Sequence, residues 1–200
     1  FRCNPNSNTG LRPHIARNAF YRMTRESPSV GATVRVTGYG VDNSPPGSTG
    51  GRNSDNETEQ THTGPYQGES SSGANFWHNH RVDTRGASSG SPIIWEANPL
   101  FTIGIHTNAG CTSTGGANAG TSFEHDPLEN ALQGFPGANT VYVDIQSLAP
   151  SENGTVFQPY NTLPEAISAV VSGGRVCVVK GSYTKANGNT FTAGADGKTM

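Results

Sequence analysis

The chain has 200 residues, 26 of them glycine, with 14% Asp, Glu, Lys and Arg and a formal net charge of −2. That length suits one or two domains and can bury a real core. A charge so near neutrality leaves no electrostatic footprint for nucleic acid or an anionic membrane surface, and no apolar run is long enough to span a bilayer.

Abundant Gly, Asn, Ser and Thr favour strands and turns over helices. Thr33 to Tyr39 alternates apolar and polar residues, as a half-buried strand does. Residues 42–55, rich in Gly, Pro, Asn and Ser, read as a long surface loop. Glu59 to Thr63 is a second strand, ended by Gly64-Pro65, and Phe76 to Thr84 a third. The third leads into the small-residue run Gly86-Ala87-Ser88-Ser89-Gly90-Ser91-Pro92. Ile93-Ile94-Trp95 reads as a buried strand, Glu96-Ala97-Asn98-Pro99 as a turn, and Leu100 to His106 as a returning strand. Thr107 to Gly120 is expected to be a flexible loop. Asp126-Pro127-Leu128-Glu129 has the acidic cap, early proline and following glutamate of a helix start, with Leu128, Ala131 and Leu132 facing inward. Gly134-Phe135-Pro136-Gly137 marks a boundary between residues 1–137 and a second unit at 138–200.

The second unit opens on the strand Val141-Tyr142-Val143-Asp144. Thr162-Leu163-Pro164-Glu165 is a capping-box start to a short helix carrying Ile167 and Val170 inward. Ser172-Gly173-Gly174 ends that helix, and Arg175 to Val179 is a strand. Lysine occurs only at Lys180, Lys185 and Lys198, whereas the first half uses arginine, a shift that suggests two segments of different origin. This order of elements resembles the N-terminal cap and first coil of a right-handed parallel β-helix of the pectin-lyase-like type. In that architecture an amphipathic helix plugs the solenoid end and later coils stack on the first. One coil cannot bury its own core, so the unit is expected to be incomplete, with an exposed apolar edge.

Ser89-Gly90-Ser91-Pro92 carries the chemistry. Small residues let the backbone turn sharply, so that a serine hydroxyl stands clear of it with amide hydrogens converging alongside. Nucleophilic serine catalysis needs both: an exposed oxygen and a site for the oxyanion its attack creates. The serine loop, the following hairpin and Gly104-Ile105-His106 together resemble the C-terminal barrel of chymotrypsin-clan serine proteases, in particular the glutamyl-endopeptidase branch. The expected fold is therefore mainly β: part of a trypsin-like protease, its second barrel, followed by the start of a β-helix. The resemblance implies Ser89 as nucleophile, with the backbone amides of Ser89 and Ala87 as the oxyanion hole. The family has glycine where Ala87 stands, and an alanine forced left-handed costs roughly 1–2 kcal/mol. It also implies that Thr84 and His106 line a pocket accepting an acidic side chain before the scissile bond, since a hydroxyl and an imidazole can donate hydrogen bonds to a carboxylate. The triad's His and Asp are expected upstream of Phe1, with Phe1-Arg2 as the tail of the strand that carries the aspartate. His14 with Asp42 have the right order for such a pair but lack the sequence context.

The resemblance further implies a secreted or cell-surface endopeptidase acting on a protein or peptide, with no cofactor. The β-helix would recognise a polysaccharide or cell surface. A second reading makes the whole a carbohydrate-binding or carbohydrate-cleaving β-helix protein with an inactive protease-like segment, and a third makes it a structural adhesin. His78-Asn79-His80 lies on one strand without convincing metal-ligand spacing and reads as solvent-facing, so no metal site is expected. His62 and His125 read as structural or exposed. Cys3, Cys111 and Cys177 form no disulfide framework; Cys3 and Cys111 either pair, if the protein is secreted, or remain buried thiols. Asn56-Glu57-Thr58 and Asn153-Gly154-Thr155 have the form of glycosylation sequons.

Overall fold

Apolar residues at every second position of Thr33-Val34-Arg35-Val36 put Val34 and Val36 on one face, and both are buried. This strand is β2 (Thr33–Gly38), preceded by the short β1 (Arg22–Met23). The computed structural model describes residues 5–12, 20–41, 59–133 and 139–190. The long loop at 42–55, Cys3, His14, Asp42, the first sequon and the Gly134 to Gly137 boundary therefore lie wholly or almost wholly outside the described residues.

β2 pairs antiparallel with β3 (Gln60–Ser72) on one side and β5 (Pro92–Trp95) on the other. β4 (Asn75–His80), β6 (Phe101–Asn108) and β7 (Asn118–Ser122) complete the set. The sheet order β6-β5-β2-β3-β4-β7, with a further β6–β7 pairing, closes these six antiparallel strands into a barrel. Closure removes the free edges that such a sheet would otherwise present. Val34, Val36, Tyr66, Val82, Ile93 and Ile103 fill the interior, with Trp95 packed against them. α1 (Asp126–Gln133) follows β7.

Two expectations for the barrel need correction. Gly64-Pro65 does not end the second strand; β3 runs through it to Ser72. Pro65 is tolerated because it faces the β4 side just beyond the end of that strand at His80, where its carbonyl accepts the Arg81 amide, while bonds toward the β2 side run on through Tyr66 to Ala32 and Gly31. Nor is Thr107 to Gly120 a loop throughout. Its first two residues extend β6, and its last three open β7, which pairs with both β4 and β6. Asn118-Ala119-Gly120-Thr121-Ser122 lacks an apolar alternation because Gly120 lies against Ile93 and the Ile105 carbonyl, leaving no room for a side chain. On α1, Leu128 and Leu132 are half-buried, but Ala131 is exposed.

In the second unit, β8 (Thr140–Val143) pairs in parallel with β9 (Arg175–Val178), and α2 (Leu163–Ala169) lies between them in sequence. Thr162 is the N-cap in extended conformation, and its hydroxyl bonds the Glu165 carboxylate rather than a backbone amide. Ala166 and Val170 are buried and Ile167 is half-buried, whereas Val171 and Val178 are exposed. Tyr160 adds a parallel bridge on the other side of Val143. The unit meets the barrel at β1, where Arg22 and Asp144 form a buried ion pair 2.7 Å long. Among the described residues, no helix is long and apolar enough to cross a membrane.

Candidate active site

Ser89 stands exposed in the turn between β4 and β5, and two residues there take left-handed backbone conformations: Ala87, with φ 68°, and Gly90, with φ 93°. Turns link the segment internally, from the Ser88 amide to the Arg85 carbonyl at 3.1 Å and from the Ser91 amide to the Ser88 carbonyl at 3.2 Å. β6 braces its other side, where the Gly90 amide donates to the His106 carbonyl and the His106 amide to the Ser91 carbonyl, both at 2.8 Å. Among the described residues, the amides of Ala87 and Ser89 donate no hydrogen bond. The Ser89 hydroxyl donates to the Thr107 carbonyl at 3.3 Å.

Beside this turn, Asn118 is the organising side chain. Its Nδ2 donates to the Val82 carbonyl at 2.7 Å and to Thr84 Oγ1 at 3.0 Å. Its Oδ1 accepts from the amides of Gly110 and Cys111 at 2.8 and 2.9 Å. Thr84 is thus half-buried and held from behind, while His106 lies buried on β6. A cavity of about 200 Å³ opens between this loop and β2–β3; Thr84, Ser88, His62 and Gln60 help line it, and His106 does not.

His106 leads into a buried run of histidines. His106 Nδ1 lies 3.3 Å from His80 Nε2, with ring centroids 5.2 Å apart. His78, two residues along β4 and on the same face, meets the Tyr66 hydroxyl through Nδ1 at 2.9 Å, with Glu69 Oε1 at 3.5 Å from the same nitrogen. Loss of solvation on burial is the main cause of every shift in this run. It pushes His80 down to about 4, helped by the neighbouring His106 and His78, and His78 to about 4 against an opposing contribution from the Ile103 backbone. His106 is lowered for the same reason, and Tyr66 is raised to about 12. All three imidazoles are therefore neutral near pH 7.

The expectation that His78 and His80 face solvent is wrong. Both are fully buried, and strand alternation through to Val82, also fully buried, is the signal that places them inside. Nothing local in the sequence marks the strand that carries Asn118. His62 is exposed and accepts the Asp83 amide, and His125 accepts the Phe76 amide. Among the described residues, no histidine bonds Ser89, Cys111 and Cys177 are free thiols, and no His, Cys, Asp and Glu side chains gather as a metal-holding group.

No family model and no curated protein matches the chain. Among solved structures, it is similar to the inactive serine-to-alanine mutant of Rv3671c from M. tuberculosis H37Rv, at 15% identity and a TM-score of 0.39 over 56% of this chain and 51% of that one. It is also similar to the scabies mite inactivated protease paralogue S-I1, at 12% identity and a TM-score of 0.40 over 56% of this chain and 50% of that one. A mutant of human heparin binding protein matches at 14% identity and a TM-score of 0.38, over 58% of this chain and 50% of that one. The chain spans about half the length of each of these structures.

Proposed function

We propose that the barrel is the C-terminal half of a serine endopeptidase and that Ser89 is its nucleophile. The observation that carries this reading is the exposed Ser89 hydroxyl in a turn whose Ala87 and Ser89 amides have no partner among the described residues. Ser89 Oγ attacks the scissile carbonyl while a histidine, oriented by an aspartate, takes its proton. Neither group is among the described partners of the Ser89 hydroxyl, which bonds the Thr107 carbonyl. The oxyanion is held by the amides of Ala87 and Ser89. The protonated histidine then delivers its proton to the leaving amine, and water releases the acyl group by the reverse sequence. Labelling the full-length protein with a fluorophosphonate probe tests this reading. Loss of label in Ser89→Ala is expected; label that persists in the variant removes Ser89 as nucleophile.

A preference for an acidic side chain before the scissile bond is assigned to Thr84, which lines the cavity beside the turn, with His106 buried on β6. His80 Nδ1 accepts the Val82 amide, so His80 Nε2 donates to His106 Nδ1, and neutral His106 keeps its own proton on Nε2, the nitrogen that can donate to a carboxylate. Thr84, held by Asn118, supplies a hydroxyl. Faster cleavage of peptides with Glu than with Gln at that position is expected, and equal rates remove the assignment. In the second unit, the parallel pairing of β8 and β9 supports reading residues 138–200 as the start of a β-helix that binds a polysaccharide or cell surface in a secreted protein. The reading as a carbohydrate-directed β-helix protein with an inactive protease-like segment predicts that the fluorophosphonate probe never labels the wild type.

A further inference from the structure

The second unit is not merely tethered to the barrel. β1 is bonded to the start of β6, with the Arg22 amide donating to the Leu100 carbonyl at 2.8 Å and the Thr24 amide to the Thr102 carbonyl at 3.1 Å. From this strand the Arg22 side chain reaches into the second unit. Its Nε donates to Asp144 Oδ2 at 2.7 Å and a terminal nitrogen to the Lys180 carbonyl at 2.6 Å, with the guanidinium over the Phe20 ring. Asp144 Oδ1 is satisfied separately by the Gln146 amide. Both charged side chains are more than nine-tenths buried. A buried pair of this kind gives little net stability compared with apolar residues, but removal of one partner strands the other charge and is strongly destabilising. It ties β1 to the second unit through both Asp144 and the Lys180 carbonyl. Arg25 adds a second tie from the same segment, bonding Glu129 at 3.0 Å and lying over Phe157, which packs on Phe123.

The clamp acts on the strand that serves the site. β6 runs from Phe101 and Thr102, paired with Arg22 and Met23, to His106 and Thr107. His106 is bonded through its backbone to Gly90 and Ser91, and the Thr107 carbonyl holds the Ser89 hydroxyl. We propose that the Arg22–Asp144 clamp makes the second unit a positioning element for β6, holding the strand whose far end supports the serine turn. This does not depend on the activity proposed for Ser89, because it concerns the order of β6 and not its chemistry.

Amide hydrogen exchange on the full chain tests it. Asp144→Asn and Arg22→Met are each expected to speed exchange of the β6 amides, including His106, by ~10-fold or more relative to those of β3 and β4. The paired replacement Arg22→Met/Asp144→Leu removes both charges and is expected to return β6 to within ~3-fold of wild type. Ser70→Ala removes a β3–β4 side-chain hydrogen bond on strands that pair with neither β1 nor the second unit, and is expected to leave β6 unchanged. Acceleration confined to residues 139–190, or equal in all barrel strands, overturns the proposal. If the single variants do not fold, the wild-type pair decides through two probes of unfolding. Trp77 and Trp95 both report the barrel, and Cys177 alkylation, in a Cys3→Ser/Cys111→Ser background, reports the second unit. Coincident transitions support the clamp, and separate ones overturn it.

Discussion

His80 Nε2 and His106 Nδ1 lie 3.3 Å apart inside the barrel, joining the middle of one strand to the end of another beneath the serine turn. His80 Nδ1 accepts the Val82 amide, so the neutral His80 ring carries its proton on Nε2 and donates to His106 Nδ1; charging both rings would set two cations side by side in an apolar interior. The barrel therefore holds the pair neutral.

The first consequence is a stability that depends on pH. His78 and His80 titrate at about 4 in the folded chain against 6.5 in the unfolded one. Between those values the unfolded chain binds more protons, so their contribution is complete above about pH 6.5 and is lost as pH falls towards 4. The shift of His78 alone corresponds to ~3 kcal/mol. Urea midpoints measured from pH 7 to pH 4 should fall, with a shallower fall in His80→Gln. A flat profile would falsify the assignment of neutral histidines.

Ala87 supplies a second test. Its left-handed conformation, with φ 68°, costs roughly 1–2 kcal/mol in the folded state. Glycine would relieve that cost but lose about 0.4–1 kcal/mol through the greater freedom of the unfolded chain. Ala87→Gly should therefore stabilise by up to about 1.5 kcal/mol. The check is a raised urea midpoint at unchanged slope.

Asn118→Leu keeps the branching and heavy-atom count of the side chain but removes four hydrogen bonds, to Val82, Thr84, Gly110 and Cys111. The stranded backbone groups should cost about 2–4 kcal/mol in denaturant unfolding. Because the Cys111 amide loses its anchor, alkylation of the Cys111 thiol should also quicken in the native state. Unchanged thiol reactivity would show that the 110–111 turn is held by something else.

Gly104 stands where β7 crosses closest to β6: a Cβ built there lies 2.5 Å from the Thr121 carbonyl oxygen and 3.0 Å from His78 Cδ2. Gly104→Ala must part the two strands, and a loss of about 1–3 kcal/mol is expected. A thermal melt showing no drop would mean that β6 and β7 part freely.

Legibility in the sequence followed the range of the interactions. Ile93-Ile94-Trp95, the Glu96 to Pro99 turn and the strand to His106 were readable because each is specified by its own side chains. So was the helix after Thr162, which proline and glutamate mark locally. Pro65 is misleading because a proline stops a strand only where its missing N–H is needed, and here its nitrogen faces the β4 side beyond that strand's last pair at His80. β7 is not legible in the sequence because its residues are chosen by what lies across from them: Gly120 by the closeness of Ile93, Asn118 by the carbonyls and amides around it.

By itself the sequence determined a β-rich chain, a serine held in a turn of small residues, and a histidine on the returning strand. Those features depend on backbone preference and on alternation within a few residues. Tertiary structure decided the rest. Barrel closure turned His78 and His80 inward to meet His106 and Tyr66, and it set Asn118 behind Thr84. The pairing of β1 with β6 brought Arg22 to Asp144. Each of these is a contact between residues distant along the chain. Its energy comes from burial and from partners that no local pattern specifies, which is why the serine was visible at once and the groups that support it were not.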